Sequence, residues 1–347
     1  MIVMNNRDRT LDIAKGILII LVVLGHSIQF SFGPEWLDSE QYYENIVFRS
    51  IYSFHMPLFM MISGYLFYNS NKKDFKPLAV SKLRSIGIPM LSFLLISDSF
   101  LFVRSLLDSG VSGMFKSFIT DIFTGMTMWF LLSLLINMAC VAFLTRLVKN
   151  REWQYVVMIL LMIAGMFIPD SIVSGVHKWM YPFFCLGYIL KQLDVNPYAC
   201  SSNFLKMSIL TILSILAILW FDKETYIYTS GFCILGKYAS QSFIDIKRLF
   251  ISLVVSYTFM QYAHILANVK NRFTDTIIRL GQMSLFIYGF NIIFITYFAK
   301  ALSFLSWNIG FNYIVPAIVS ICFIILSYYL YELLEKYSIT RILFLGK

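Results

Sequence analysis

Within the sixteen-residue stretch DIAKGILIILVVLGHS, Asp12, Lys15 and His26 are the groups able to carry charge. A neutral imidazole is close to the right pKa for taking a proton from a hydroxyl, a carboxylate can orient or tune such a base, and an ammonium can hold an anion. On a helix, the residues from Lys15 to His26 turn about 1100°, which returns both side chains to within about 20° of one face, roughly 16 Å apart along the axis. Asp12 falls near the same face, about 20 Å from His26 and out of its reach. Its spacing from Lys15 suits an ion pair instead. Read alone, His26 serves equally as a base or as a hydrogen-bond partner between helices, and Lys15 as an anion site or as a side chain that snorkels to headgroups. The alignment of all three on one face favours function.

The elements that must position them follow from composition. Of 347 residues, 59% are hydrophobic and 14% charged, with 33 Phe and 21 Tyr, and the mean hydropathy is +0.73. Soluble domains carry about a quarter charged residues. The fold expected is all-α, a polytopic transmembrane bundle of about ten spans, each long enough for a hydrocarbon core of about 30 Å. The apolar runs lie near 13–31, 46–68, 86–105, 127–148, 154–171, 179–193, 204–221, 249–267, 283–304 and 313–334. Residues 222–248 are amphipathic and aromatic-rich, as in a re-entrant or surface helix. No internal repeat is visible, and 1–347 is expected to form a single membrane domain.

Basic residues set the orientation. Arg7, Arg9 and Lys15 precede or open the first run, Lys72, Lys73, Lys76, Lys82 and Arg84 follow the second, and Arg146, Lys149 and Arg151 follow the fourth. The loop after the first run holds Glu35, Asp38, Glu40 and Glu44 instead. The positive-inside rule puts the N-terminus in the cytoplasm, and ten crossings return the C-terminus there. The net charge of +9 is then topology and anionic headgroups, with no need for nucleic acid. The first run lacks a convincing cleavage site and further spans follow it, so it is retained as a span. Cys140, Cys185, Cys200, Cys233 and Cys322 are scattered and indicate neither a disulfide framework nor a metal site.

Asp12-x-x-Lys15 followed at this spacing by His26 resembles the signature of the acyltransferase 3 family, integral membrane O-acyltransferases that often acetylate cell-surface sugars. The segment SFHMPLFMMISGYLF from Ser53 to Phe67 is similar to a second-helix motif of that family. Lys82-Leu-Arg84-Ser85 running to Pro89 resembles its basic stretch, Trp129-Phe-Leu-Leu its WFL motif, Phe183 to Tyr188 its FFxLGY piece, and Gly281 to Tyr288 its GxxSLxIY segment. The first two motifs look most like the fucose 4-O-acetylase-like branch. Two positions depart from the pattern: Asn291 stands where relatives commonly have His, and Ser85 where many have a second Arg. Long family members add a soluble esterase-like domain, and none is expected here.

The resemblance implies transfer of an acetyl group from acetyl-CoA to a sugar hydroxyl of a surface polysaccharide, an oligosaccharide or a lipid-linked precursor, in a bacterial inner membrane. His26 is the expected base. His55 is expected to shape the acceptor site or assist proton transfer; Lys15 and Asp12 belong with His26 and His55 to the catalytic set the resemblance implies, with Asp12 or Asp98 as the acid that orients or tunes the base, although the helical spacing suits Asp12 to pairing with Lys15. Lys15, Lys82 and Arg84 are candidates for the phosphates of coenzyme A, although enforcing orientation explains Lys82 and Arg84 as well. Asp98, Trp129 and Asn291 are candidates for the acceptor, beside structural roles as hydrogen-bond partner, interfacial anchor and packing amide. His177 and His264 have no assigned role. No metal is implied, and the expected partners are the glycan acceptor, membrane lipids and polysaccharide biosynthesis enzymes. The alternative is a transporter or flippase for a polar or lipid-linked glycan; the broken, paired helices and repeated halves expected of one are not visible.

Overall fold

The computed structural model describes residues 8–32, 39–124, 127–171, 174–198, 202–302 and 309–347. Arg7, Glu35, Asp38 and Cys200, used above for orientation and cysteine spacing, lie outside the described residues. All described regular elements are helical. They are α1 (Arg9–Ser31), α2 (Glu40–Glu44), α3 (Ile46–Tyr52), α4 (His55–Asn71), α5 (Phe75–Lys82), α6 (Ile88–Ser97), α7 (Ser99–Thr124) and α8 (Trp129–Leu147). There follow α9 (Arg151–Met166), α10 (Ser174–Gln192), α11 (Phe204–Trp220), α12 (Ile227–Ser230), α13 (Tyr238–Ala267), α14 (Arg272–Gln282), α15 (Ser284–Leu302), α16 (Ile309–Leu334) and α17 (Ser338–Thr340). Among them, six stretches are long and apolar enough to cross a membrane, and α14 with α15, bent by 72°, makes a seventh if counted as one span.

Short polar residues start these helices by taking amide hydrogens that have no partner in the first turn. The Asp8 carboxylate accepts from Thr10 N at 2.9 Å and from Leu11 N. Asn150, Asn203 and Asn271 do the same for α9, α11 and α14.

Two pairs of glycines let helices meet backbone to backbone. A Cβ on Gly64 would lie 2.0 Å from the Phe184 carbonyl oxygen, and one on Gly187 1.9 Å from that of Met61, so α4 and α10 touch along their length. Gly16 and Gly281 join α1 to α14 in the same way, with a Cβ on Gly281 meeting the Asp12 carbonyl oxygen at 2.0 Å. Without water in the bilayer to drive apolar faces together, such close approach supplies the packing.

A chain of ion pairs holds both termini at one end of the bundle. Arg9 meets Asp275 at 3.1 Å, Arg279 on the same helix meets Glu332 at 2.7 Å and Glu335 at 3.0 Å, and Glu335 also takes Lys347.

Two boundaries differ from expectation. The helix of the third apolar run stops at Ser97 instead of reaching 105, where the backbone of Asp98 leaves the helical conformation at φ −106° and ψ 15°. Beyond it α7 folds into a hairpin at Gly110, whose φ of 68° suits glycine, and Ser105 meets Ser117 across the hairpin at 2.7 Å. Residues 222–248 do not form a separate helix. Residues 221–237 are largely irregular, and α13 begins at Tyr238, with Gln241, Asp245, Lys247 and Arg248 buried in its first turns. Those polar side chains hid the start of α13 from hydropathy.

Candidate functional site

The SFHMP segment explains its own break. Proline at 57 has no N–H, so the Ser53 carbonyl loses the donor it would have in a continuous helix. Ser252 Oγ of α13 supplies one at 2.7 Å. At the break His55 opens α4, and its Nδ1 lies 2.8 Å from the Ile51 carbonyl oxygen of α3. A carbonyl only accepts, so Nδ1 carries the proton, and in the neutral ring Nε2 keeps its lone pair.

His26 reaches the same state from another element. Its Nδ1 lies 2.7 Å from Asn291 Oδ1 on α15. An amide oxygen also only accepts, so the proton again sits on Nδ1, and in the neutral ring Nε2 keeps its lone pair. Gly25 beside it makes room for Tyr52, because a Cβ there would stand 2.8 Å from that ring. Tyr52 packs edge-on to the His55 ring at 4.7 Å and donates to Gln29 Oε1 at 3.0 Å.

Both imidazoles line one cavity of about 250 Å³. Trp129, Trp179, Tyr226, Tyr228 and Tyr288 supply aromatic walls, and Thr225, Arg248 and Ser252 supply polar ones. Few polar groups set among aromatic rings is the usual make-up of a small-molecule site, and ring faces suit the apolar face of a sugar. The cavity sits away from the termini: His26 is about 16 Å along α1 from Lys15, and Arg248 about 24 Å along α13 from His264. His264 itself bonds Thr10 at 3.0 Å near the N-terminal end.

Of the residues singled out from sequence, His26, His55 and Trp129 line the cavity, and Asn291 joins them through His26. Lys15 and Asp12 form an ion pair at 2.7 Å and do not line it. Lys82 folds back to Ser70 Oγ at 3.3 Å, and Arg84 is exposed. Asp98 lies outside the cavity; it accepts from Ser97 Oγ at 3.1 Å and hydrogen-bonds the Asp121 side chain. His177, given no role, bonds Ser133. Sequence reasoning missed Arg248, Trp179 and the 225–228 segment; the available signal was the aromatic-rich character of 222–248. Among the described residues, no group of three or more His, Cys, Asp or Glu is placed to hold a metal ion.

The fold and site are those of a helical bundle built for membrane insertion, with two histidines lining an aromatic cavity. The chain belongs to the acyltransferase 3 family: the family's acyltransferase domain matches residues 8–332. It is 30% identical over 237 residues to nodulation protein NolL of Mesorhizobium japonicum, covering 65% of this chain and 60% of that protein. It is 31% identical over 236 residues to nodulation protein NolL of Sinorhizobium fredii, covering 65% and 61%. The match therefore spans about three fifths of the length of these curated relatives. No solved structure matches the chain.

Proposed function

We propose that this protein is a multi-pass membrane O-acetyltransferase that moves an acetyl group from acetyl-CoA to a hydroxyl of a sugar in a surface polysaccharide, an oligosaccharide or a lipid-linked precursor. The carrying observation is the His26 Nε2 lone pair, fixed by the bond from Nδ1 to Asn291 and facing a cavity of sugar-sized aromatic make-up. Family membership supports acyl transfer.

His26 Nε2 takes the proton of the acceptor hydroxyl as its oxygen attacks the thioester carbonyl. The new C–O bond forms and the C–S bond breaks. The thiolate of coenzyme A then recovers the proton from the imidazolium, whose Nδ1–H stays on the Asn291 oxygen throughout. His55 presents a second Nε2 to the same space and assists the proton's movement.

Ten crossings with both termini in the cytoplasm fit this division of labour. This reading takes α3 with α4, α5 with α6, and α14 with α15 as single spans and adds α9, α10 and α11, beyond the six or seven stretches long and apolar enough by themselves, to α1, α8, α13 and α16. The donor's phosphates are assigned to the cytoplasmic side, where Lys15, Lys82 and Arg84 are the cationic candidates, and the acceptor to the cavity. The setting is a bacterial inner membrane.

The test is transfer of radiolabelled acetyl from acetyl-CoA by purified protein in detergent, with lipid-linked sugars supplied as acceptors. Label on glycan supports the assignment. A folded protein that neither binds acetyl-CoA nor moves label favours a glycan transporter instead.

A further inference from the structure

The cavity wall holds a hydrogen-bond donor that the proposed proton transfer does not use. Gln29 follows His26 by three residues on α1, is half-buried and lines the same cavity. Tyr52 holds its side chain, with the phenol donating to Oε1 at 3.0 Å. A carboxamide whose oxygen is engaged in this way turns its NH2 group to the other side. Nε2 has no hydrogen-bond partner among the described residues and is not closed off by protein. The ring of Tyr52 in turn packs edge-on to His55 at 4.7 Å. The Gln29 amide is thus tied through Tyr52 to one imidazole and shares α1 with the other.

Side chains three residues apart on a helix are neighbours, with Cβ atoms about 5–6 Å from each other. Two groups at that separation can serve one tetrahedral centre. The first takes the proton of the attacking hydroxyl, and the second donates, from about 3 Å, to the negative charge that develops on the carbonyl oxygen. His26 fills the first role in the acetyl-transfer reading, and the second has no occupant there. Other polar groups of the wall already donate elsewhere: Ser252 to the Ser53 carbonyl, Thr225 to Asp222, and Arg248 to Ser230 and the Gly231 carbonyl. A neutral carboxamide stabilises an oxyanion without losing a proton or competing with the base for one.

We propose that Gln29 Nε2 is the oxyanion donor of the transfer reaction, hydrogen-bonding the thioester carbonyl oxygen while His26 takes the proton of the acceptor hydroxyl. As the new C–O bond forms, the carbonyl π electrons move onto oxygen, and the Gln29 N–H holds that charge. The electrons return to the carbonyl as the C–S bond breaks, and the departing thiolate takes the proton from the imidazolium. Tyr52 is a positioning residue. Its hydroxyl keeps Oε1, which would repel the oxyanion, turned away from the reacting atoms. The inference rests on the acetyl-transfer reading.

The test is steady-state transfer of radiolabelled acetyl from acetyl-CoA to a lipid-linked sugar by the wild type, Gln29→Met, Gln29→Glu and Tyr52→Phe, with melting temperatures measured in the same detergent. Assays are run at about pH 8, above the ordinary carboxyl range. Gln29→Glu keeps an acceptor for the Tyr52 hydroxyl and removes the donor, so it separates the oxyanion role from a structural one. Both Gln29 variants are expected to lose about 10²–10³-fold in kcat, with both KM values within about threefold. Gln29→Glu should keep the wild-type melting temperature, and it carries the test if Gln29→Met folds poorly. Tyr52→Phe frees the amide to turn over and should lose about tenfold in kcat. A Gln29→Glu variant within a few fold of wild type overturns the proposal, as does a loss confined to acceptor KM, which would make Gln29 an acceptor-binding group. Either result leaves the acetyl-transfer reading standing, whereas a folded wild type that moves no label overturns that reading and this role together.

Discussion

His26 Nδ1 stands 2.7 Å from Asn291 Oδ1, so an amide on α15 decides which nitrogen of the imidazole faces the cavity. This chain holds the His26 ring with a group that cannot itself titrate. Asn291→Ala removes the only hydrogen bond assigned to His26 among the described residues. Losing a buried hydrogen bond costs about 1–3 kcal/mol, equivalent to roughly tenfold to hundredfold in rate. The expected result is that loss in kcat with both KM values within about threefold, because the tautomer and not substrate binding is disturbed. Steady-state kinetics on protein of matched yield checks it; an effect confined to KM would assign Asn291 to the substrate instead.

Ser252 and Pro57 form a compensating pair. Ser252→Ala leaves the Ser53 carbonyl buried without a donor, at a cost of about 1–3 kcal/mol. Pro57→Ala restores a backbone N–H to that carbonyl. The serine substitution is therefore expected to lower the melting temperature in detergent more when Pro57 is present than when it is combined with Pro57→Ala. Equal effects in both backgrounds would show that the hydroxyl acts elsewhere.

Gly64 and Gly187 are expected to tolerate no side chain. An added Cβ on either collides with a carbonyl oxygen of the partner helix at about 2 Å, and backbone cannot yield as a side chain can. Gly187→Val should cost at least the roughly 1–3 kcal/mol of ordinary overpacking and reduce folded yield, as judged by size-exclusion profile and thermal unfolding. A variant with wild-type stability would mean that α4 and α10 are farther apart than described.

The α7 hairpin carries a pH signature. Burial, then the hydrogen bond and charge of Asp98, push the Asp121 carboxyl up to about 7. In the unfolded chain it titrates near 3.9, so between about pH 4 and pH 7 the folded protein holds the extra proton. Stability from this group is present at the acid end and falls as pH rises through that window. Asp121→Asn keeps a neutral hydrogen-bonding group at all pH values and should flatten the slope of melting temperature against pH. A slope unchanged by the substitution would locate its origin in other groups.

How much was legible follows from which contacts are local. His26 and His55 stood out because each interrupts an apolar run and sits in a recognisable motif, and the Asp12–Lys15 pair is set by helical spacing alone. Gly64 and Gly187 were visible only as letters in motifs; their reason exists once α4 meets α10. Asn291 was noticed as a departure, yet its contact with His26 joins residues far apart in the chain and no periodicity reports it. Asp98 attracted attention as an acid in an apolar run, whereas its partner Asp121 comes from the returning arm of a hairpin. Arg248 was hidden for the opposite reason. It follows Lys247 in a stretch that reads as solvent-facing, and its burial depends on Asp245 one helical turn earlier and on Gly231 in the preceding loop.

The most direct measurement of the central claim is acetyl transfer by His26→Ala beside the wild type, at matched folded yield, with radiolabelled acetyl-CoA and a glycan acceptor. With His26 as the base, transfer falls by about 10²–10⁴-fold while acetyl-CoA binding persists. Transfer within a few fold of wild type would contradict that role and move attention to His55.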